Sequence, residues 1–177
     1  METNRPPTSY LPLRKKKSAM SEDAAWAVLC DPAVVYGFLG AAGVPREDYT
    51  PYVSPMNFAA DPGARAIFLH TTIDADSKRS QCLAANPRVC FTAVHPDAAM
   101  VHDGSGLACK FSMTFTSVIA LGTARAIQDP EEKARILNFF MQQKSGADNL
   151  IPVQPMHTII ATVYCIDVAH ITGAKKE

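Results

Sequence analysis

In the stretch IFLHTTIDADSKRSQCL, residues 67–83, an apolar run ends in His70, Thr71 and Thr72, and Ser77, Lys78 and Arg79 then open a helix-like segment. A serine in that position caps a helix. The free backbone N–H groups, the positive end of the helix dipole and the cations of Lys78 and Arg79 then converge just after a strand, which makes a phosphate or carboxylate site. Thr71 and Thr72 add hydroxyl donors at the strand exit. The same pattern also describes a capped surface helix with two solvated cations. His70 ends the strand beside this spot. A strand histidine is commonly structural, yet its ring titrates near neutrality and can hold or deliver a proton.

Competing chemistries find less support. GSGLACKFS, residues 104–112, lacks the Gly-Lys-Ser/Thr adjacency of a phosphate loop, and no G-x-G-x-x-G follows a strand. His95, His102 and Cys109 fall in one loop near Asp97 and Asp103, but the spacings match no zinc pattern, so no metal is expected. Cys82 follows the two cations but has apolar neighbours in Leu83 and Ala84, and all five cysteines read as structural.

The elements that must position these residues follow from composition and pattern. With 177 residues, 47% of them hydrophobic, the chain is long enough for one domain with its own core. Seventeen basic residues balance seventeen acidic ones, which argues against nucleic acid or a membrane surface as partner. The cysteines, odd in number and scattered, point to reduced thiols and a cytoplasmic location. Residues 1–20 read as a flexible arm with a basic cluster at Arg14–Lys17, and residues 21–177 as the folded domain. Ser21 starts a short helix that Pro32 ends. The run TPYVSPMNFAA, the turn DPGAR and AIFLHTT form a hairpin, with Pro55 marking an edge or a bulge. A helix to Asn86-Pro87, the strand RVCFTAV, a loop over 95–110 and a long strand or strand pair to Ile127 follow, with a bend or bulge at Gly122. Asp129-Pro130-Glu131-Glu132 opens the best-signed helix, and HTIIATVYCIDVAHITG holds a final strand of roughly ten residues before a charged tail. Hairpins and short helices without regular strand–helix alternation predict a mostly antiparallel α+β domain, closed as a small barrel.

Taken in order, PYVSPMNF, IFLHTT, LAANPRVCF, TSVIALGTARAIQDPEEKARIL and VYCIDVAHITGAKK resemble the pyridoxamine-5′-phosphate-oxidase-like flavoproteins, in particular their nitroimidazole-resistance (Nim-like) branch, from about Tyr52 to Lys176. The resemblance implies a flavin-binding split β-barrel, a homodimer, and FMN in a groove between subunits. It places Ser54, Pro55, Met56 and Asn57 along the flavin ring, and His70, Thr71 and Thr72 at the ribityl chain and ring edge. It sets Ser77, Lys78 and Arg79 on the phosphate, and Ser117 and Val118 on a further wall. Two departures stand out: Ser77 replaces the family's glycine in a loop about two residues longer, and Thr116 stands where the family often has an arginine. The implied activity is an FMN-dependent oxidoreductase that passes electrons from a small-molecule donor to a small acceptor such as a nitro-compound. His70 is then the residue expected near the reacting edge, as the catalytic candidate. A flavin- or haem-binding protein without turnover is the alternative.

Overall fold

The computed structural model describes residues 16–44, 49–73, 76–147 and 149–177. Local chemistry sets the helix ends. Helix α1 (Glu22–Cys30) starts where Ser21 accepts a hydrogen bond from the Ala24 N–H, with Glu22 and Asp23 in its first turn. In α2 (Lys78–Ala85) Ser77 is the cap, as its position in the sequence requires. In α3 (Pro130–Ser145) the Asp129 carboxylate accepts from the Glu132 N–H, Pro130 takes the first turn, and Gly146 closes the helix at φ 62°.

Seven strands make one antiparallel sheet: β1 (Tyr36–Ala41), β2 (Tyr52–Asp61), β3 (Ala66–Thr72), β4 (Arg88–Val94), β5 (Ala99–Val101), β6 (Ser112–Ile127) and β7 (Ala161–Lys176). Six of them run in the order β4-β1-β2-β3-β7-β6, and pairing of β4 with β6 closes the ring. Strand β5 adds to the start of β6 outside that ring. The result is the antiparallel α+β barrel that the pattern of the chain predicts, in the split form that the resemblance implies. The β6–β7 register shifts between Leu121 and Gly122, the bulge expected at that glycine. A Cβ there would lie 2.4 Å from the Asp167 carbonyl oxygen, so only glycine lets the strands approach so closely.

Away from the bulge, side chains alternate across the wall. Leu39, Phe58, Ile67, Leu69, Phe91 and Val118 fill the inside, where the Phe58 and Phe91 rings meet edge-on at 5.0 Å. Helix α1 adds Ala25, Trp26 and Leu29 to this cluster, and α2 adds Cys82 and Leu83. Helix α3 packs outside instead. Its Ile136 joins Ala66, Phe68, Val163 and Cys165 on the outer face of β3 and β7.

The structure departs from the sequence reading in several places. Strand β1 carries no clear sequence signal because Gly37 and Gly40 occupy two of its six positions. Gly37 is required by packing: a Cβ there would meet the buried Phe91 ring at 2.1 Å. Within the expected loop, residues 99–101 pair as β5, and Ala108–Lys110 form a 3₁₀ turn. His157–Ile160, expected as strand, belong to the 3₁₀ turn Pro155–Ile160, while β7 runs sixteen residues and takes in Lys175 and Lys176 of the expected tail. Of the expected N-terminal arm, residues 1–15 lie outside the described residues. Its last part is seated: Met20 N–H donates to the Gly173 carbonyl at 2.9 Å, and Ala19 bridges Ala174.

Candidate functional site

Strands β2 and β3 pair only from Phe58↔Leu69 to Asp61↔Ala66. Beyond that point they part, β2 staying on β1 and β3 on β7. Pro55 lies in the parted half of β2, where its missing N–H costs no ladder bond, in keeping with its expected edge position. Helix α2 begins at this gap. Ser77 Oγ accepts from the Ser80 N–H at 3.2 Å, and Arg79 reaches between the strands. Its Nη2 donates to Thr71 Oγ1 at 2.7 Å, and its Nη1 lies 3.4 Å from Met56 Sδ. A single guanidinium thus bridges the two parted strands.

Among the described residues, two buried side-chain polar atoms lack a hydrogen-bond partner, Arg79 Nε and Ser54 Oγ. Ser54 precedes Met56 by two residues and shares its inward face. An unmet buried donor carries a desolvation cost of about 1–3 kcal/mol, more when it is charged. Both orphans belong to residues that the resemblance assigns to an anionic cofactor, Ser54 at the ring and Arg79 at the phosphate. An oxyanion is the kind of group that satisfies a charged donor such as Arg79 Nε, so the Arg79 end of the gap fits a phosphate.

A hydrogen-bond chain supports the start of the helix from below. Ser77 Oγ lies 2.9 Å from Ser80 Oγ, which lies 3.1 Å from the hydroxyl of the buried Tyr164 on β7. Sequence reasoning misses both Ser80 and Tyr164. Tyr164 sits in an apolar strand run like any core tyrosine, and only the fold shows that its hydroxyl meets α2.

The remaining expected residues divide by face. Thr71 points inward to Arg79, whereas His70 points outward, its ring edge-on to Phe140 of α3 with centroids 4.9 Å apart. Partial burial among these groups pushes the His70 pKa down and favours the neutral ring. Thr72 is exposed at the strand end, and Lys78 is half-buried in the first turn of α2. Pro55 and Asn57 point outward, as does Ser117, while Val118 is buried inside the barrel. Ser117 and Val118 therefore occupy opposite sides of one wall. Thr116, in place of the arginine common in the family, is buried and pairs with Lys175 across β6 and β7. His95, from the histidine-bearing loop, lies between Asp31 Oδ2 at 3.3 Å and Asp97 Oδ1 at 2.8 Å. The described residues contain no group of three or more His, Cys, Asp or Glu side chains placed to hold a metal.

With this geometry in place, comparison with known proteins identifies the class. The family model for pyridoxamine 5′-phosphate oxidase matches residues 21–175, and the chain belongs to that family. Among solved structures, the fold is similar to a protein assigned as a 5-nitroimidazole antibiotic resistance protein from Bacteroides thetaiotaomicron. That pair is 21% identical with a TM-score of 0.69, over 88% of this chain and 84% of the other. It is also similar to the flavocytochrome Anf3 from Azotobacter vinelandii (20% identity, TM-score 0.72, 93% and 72% covered). A third is the FAD and haem binding protein from Mycobacterium smegmatis (14% identity, TM-score 0.68, 92% and 74% covered). Among curated proteins none matches the chain. No helix among the described residues is long and apolar enough to cross a membrane.

Proposed function

We propose that the protein binds a flavin, FMN by preference, and acts as an oxidoreductase on a small acceptor such as a nitro-compound. The observation that carries this reading is the part-buried guanidinium of Arg79, held by Thr71 between the parted strands with its buried Nε unmet. In this reading Arg79 and the capped start of α2 hold the phosphate, with Lys78 adding charge from the same turn. The family and the flavin proteins among its structural neighbours support the choice of cofactor. When bound, the flavin supplies two-electron chemistry, and the protein supplies binding, orientation and exclusion of water. His70, neutral and half-buried on the outer face of the same strand end, is the proposed proton-handling residue.

The outward face supports a homodimer with the cofactor between subunits. Phe38 lies between Pro55 and Thr92, and Thr92 beside Ile119, so one row crosses four strands. Tyr36, Phe38, Val53, Val94 and Ile119 all expose two-fifths or more of their surface on this face. Such a continuous apolar face on a chain of this size is an interface in the making. Pro55, Asn57 and Ser117 share it, so these three of the expected cofactor-lining residues face the proposed subunit boundary, while Ser54, Met56 and Val118 face the barrel interior.

The test is the absorption spectrum of the purified protein, followed by mass analysis of what denaturation releases. Flavin bands with FMN released support the proposal. A haem Soret band instead, or failure of the colourless protein to take up FMN at micromolar concentration, overturns it. Anaerobic reduction by NADH or NADPH and reoxidation by a nitro-compound then separate an enzyme from a carrier.

A further inference from the structure

Strands β3 and β7 together hold the start of α2 at two points. On their inward face Thr71 lies opposite Thr162, and at the next inward pair Leu69 lies opposite Tyr164. Thr71 accepts from the guanidinium of Arg79, while the Tyr164 hydroxyl lies 3.1 Å from Ser80 Oγ. Arg79 and Ser80, consecutive residues of α2, are thus pinned to successive inward pairs of one ladder.

Tyr164 is 6% exposed and belongs to the same interior cluster as Leu69, Cys82 and Ile166. Phenylalanine would pack there equally well, and a hydroxyl in such surroundings costs free energy unless it is hydrogen-bonded. What the hydroxyl adds is its hold on Ser80. Ser80 passes that hold to the helix cap, because its Oγ lies 2.9 Å from Ser77 Oγ and its N–H donates to the same oxygen at 3.2 Å. Arg79 sits between these two serines. The turn needs such fastening: α2 is only eight residues long, and it opens with Lys78 and Arg79, two cations at the positive end of its dipole.

We propose that Tyr164 is a positioning residue for the phosphate site. Acting through Ser80 and the Ser77 cap, its hydroxyl holds the first turn of α2 where the buried, unmet Nε of Arg79 can meet the cofactor's phosphate. This role rests on the proposed flavin binding and extends it, giving part of the discrimination for a phosphate to a side chain of β7.

The experiment titrates FMN and riboflavin, followed by fluorescence, into the full chain as native protein, Tyr164→Phe, Ser80→Ala, Arg79→Ala and the double variant Tyr164→Phe with Arg79→Ala. Urea unfolding is recorded for each. Tyr164→Phe and Ser80→Ala should each lower the preference for FMN over riboflavin about fivefold, the effect of one lost hydrogen bond, with riboflavin affinity nearly unchanged. In the Arg79→Ala background Tyr164→Phe should leave the preference where it is, since the group it positions is gone. A purely structural tyrosine would lower the urea midpoint and weaken both flavins alike. Ser80 is only partly buried, so its variant carries the test if Tyr164→Phe does not fold. A preference lost in Arg79→Ala but intact in Ser80→Ala and in folded Tyr164→Phe overturns the role of Tyr164 and leaves the flavin reading standing. A native chain with no preference for FMN, or a preference untouched by Arg79→Ala, overturns the phosphate assignment and the role of Tyr164 with it.

Discussion

Arg79 Nη2 donates a 2.7 Å hydrogen bond to Thr71 Oγ1, joining the first turn of α2 to the end of β3 where β2 has already left it. The contact fixes a cation where β2 and β3 part. It also leaves the third face of the guanidinium, at Nε, buried and unmet.

His70 tests the chemistry rather than the anchoring. His70→Ala is expected to retain the flavin and lose most turnover in a nitro-reduction assay. Its pKa is depressed by burial, so the folded state binds fewer protons than the unfolded chain below about pH 6.5, and stability falls as the pH drops through that range. Activity that depends on the neutral ring should fall on the same side. Full turnover in His70→Ala means the ring serves packing against Phe140 alone.

Lys144 tests how the site's scaffold is held. Its ammonium donates to the carbonyls of Leu29, Asp31 and Val34 at 2.9, 2.9 and 3.0 Å and lies 4.6 Å from the Phe58 ring centroid. Neighbouring Gln143 clamps both backbone groups of Ala60 on β2. Lys144→Met keeps the apolar stem but strands three carbonyls. A loss of about 2–4 kcal/mol is expected, read as a lower urea midpoint with unchanged slope.

The folding signals of this chain differ in how local they are. The caps Ser21, Ser77 and Asp129 and the bulge at Gly122 are written in adjacent residues, so helix starts and the kink in β6 are legible without a structure. Strand β1 is not, because Gly37 is chosen by the Phe91 ring opposite it and not by strand propensity. At the site, the sequence brings Ser77, Lys78, Arg79 and Thr71 to one end of one hairpin. It does not show that Arg79 turns into the gap, that Ser54 waits unmet inside it, or that His70 faces the other way. Those depend on where β2 and β3 part, a long-range property of closing the barrel.

His95, between Asp31 and Asp97, provides a pH readout. Partial burial lowers its pKa, but the hydrogen bonds and charges of Asp97 and Asp31 outweigh this and the net shift is upward. Its stabilising contribution is therefore fully present below the unfolded value of about 6.5 and is lost as the pH rises through the higher folded value. The partners are partly exposed, so the amount is about 0.5–1 kcal/mol after screening. His95→Gln should flatten this part of the stability–pH curve measured by chemical denaturation. An unchanged curve removes His95 from the account.

Phe38 tests the proposed subunit boundary, since it is 45% exposed at the centre of the apolar row. Light scattering should give a dimer for the native chain at micromolar concentration and a monomer for Phe38→Asp, with loss of bound flavin. A native monomer that holds flavin tightly contradicts a cofactor shared between subunits.

The central claim is that Arg79 holds the flavin's phosphate, and comparing FMN with riboflavin isolates that phosphate. Fluorescence titration of each flavin into native and Arg79→Ala protein gives four affinities. The account predicts that native protein prefers FMN by tenfold or more, and that Arg79→Ala removes most of this preference while leaving riboflavin affinity nearly unchanged, as loss of a charge-assisted contact of about 1.5–3 kcal/mol requires. An FMN preference that survives intact in Arg79→Ala would contradict it.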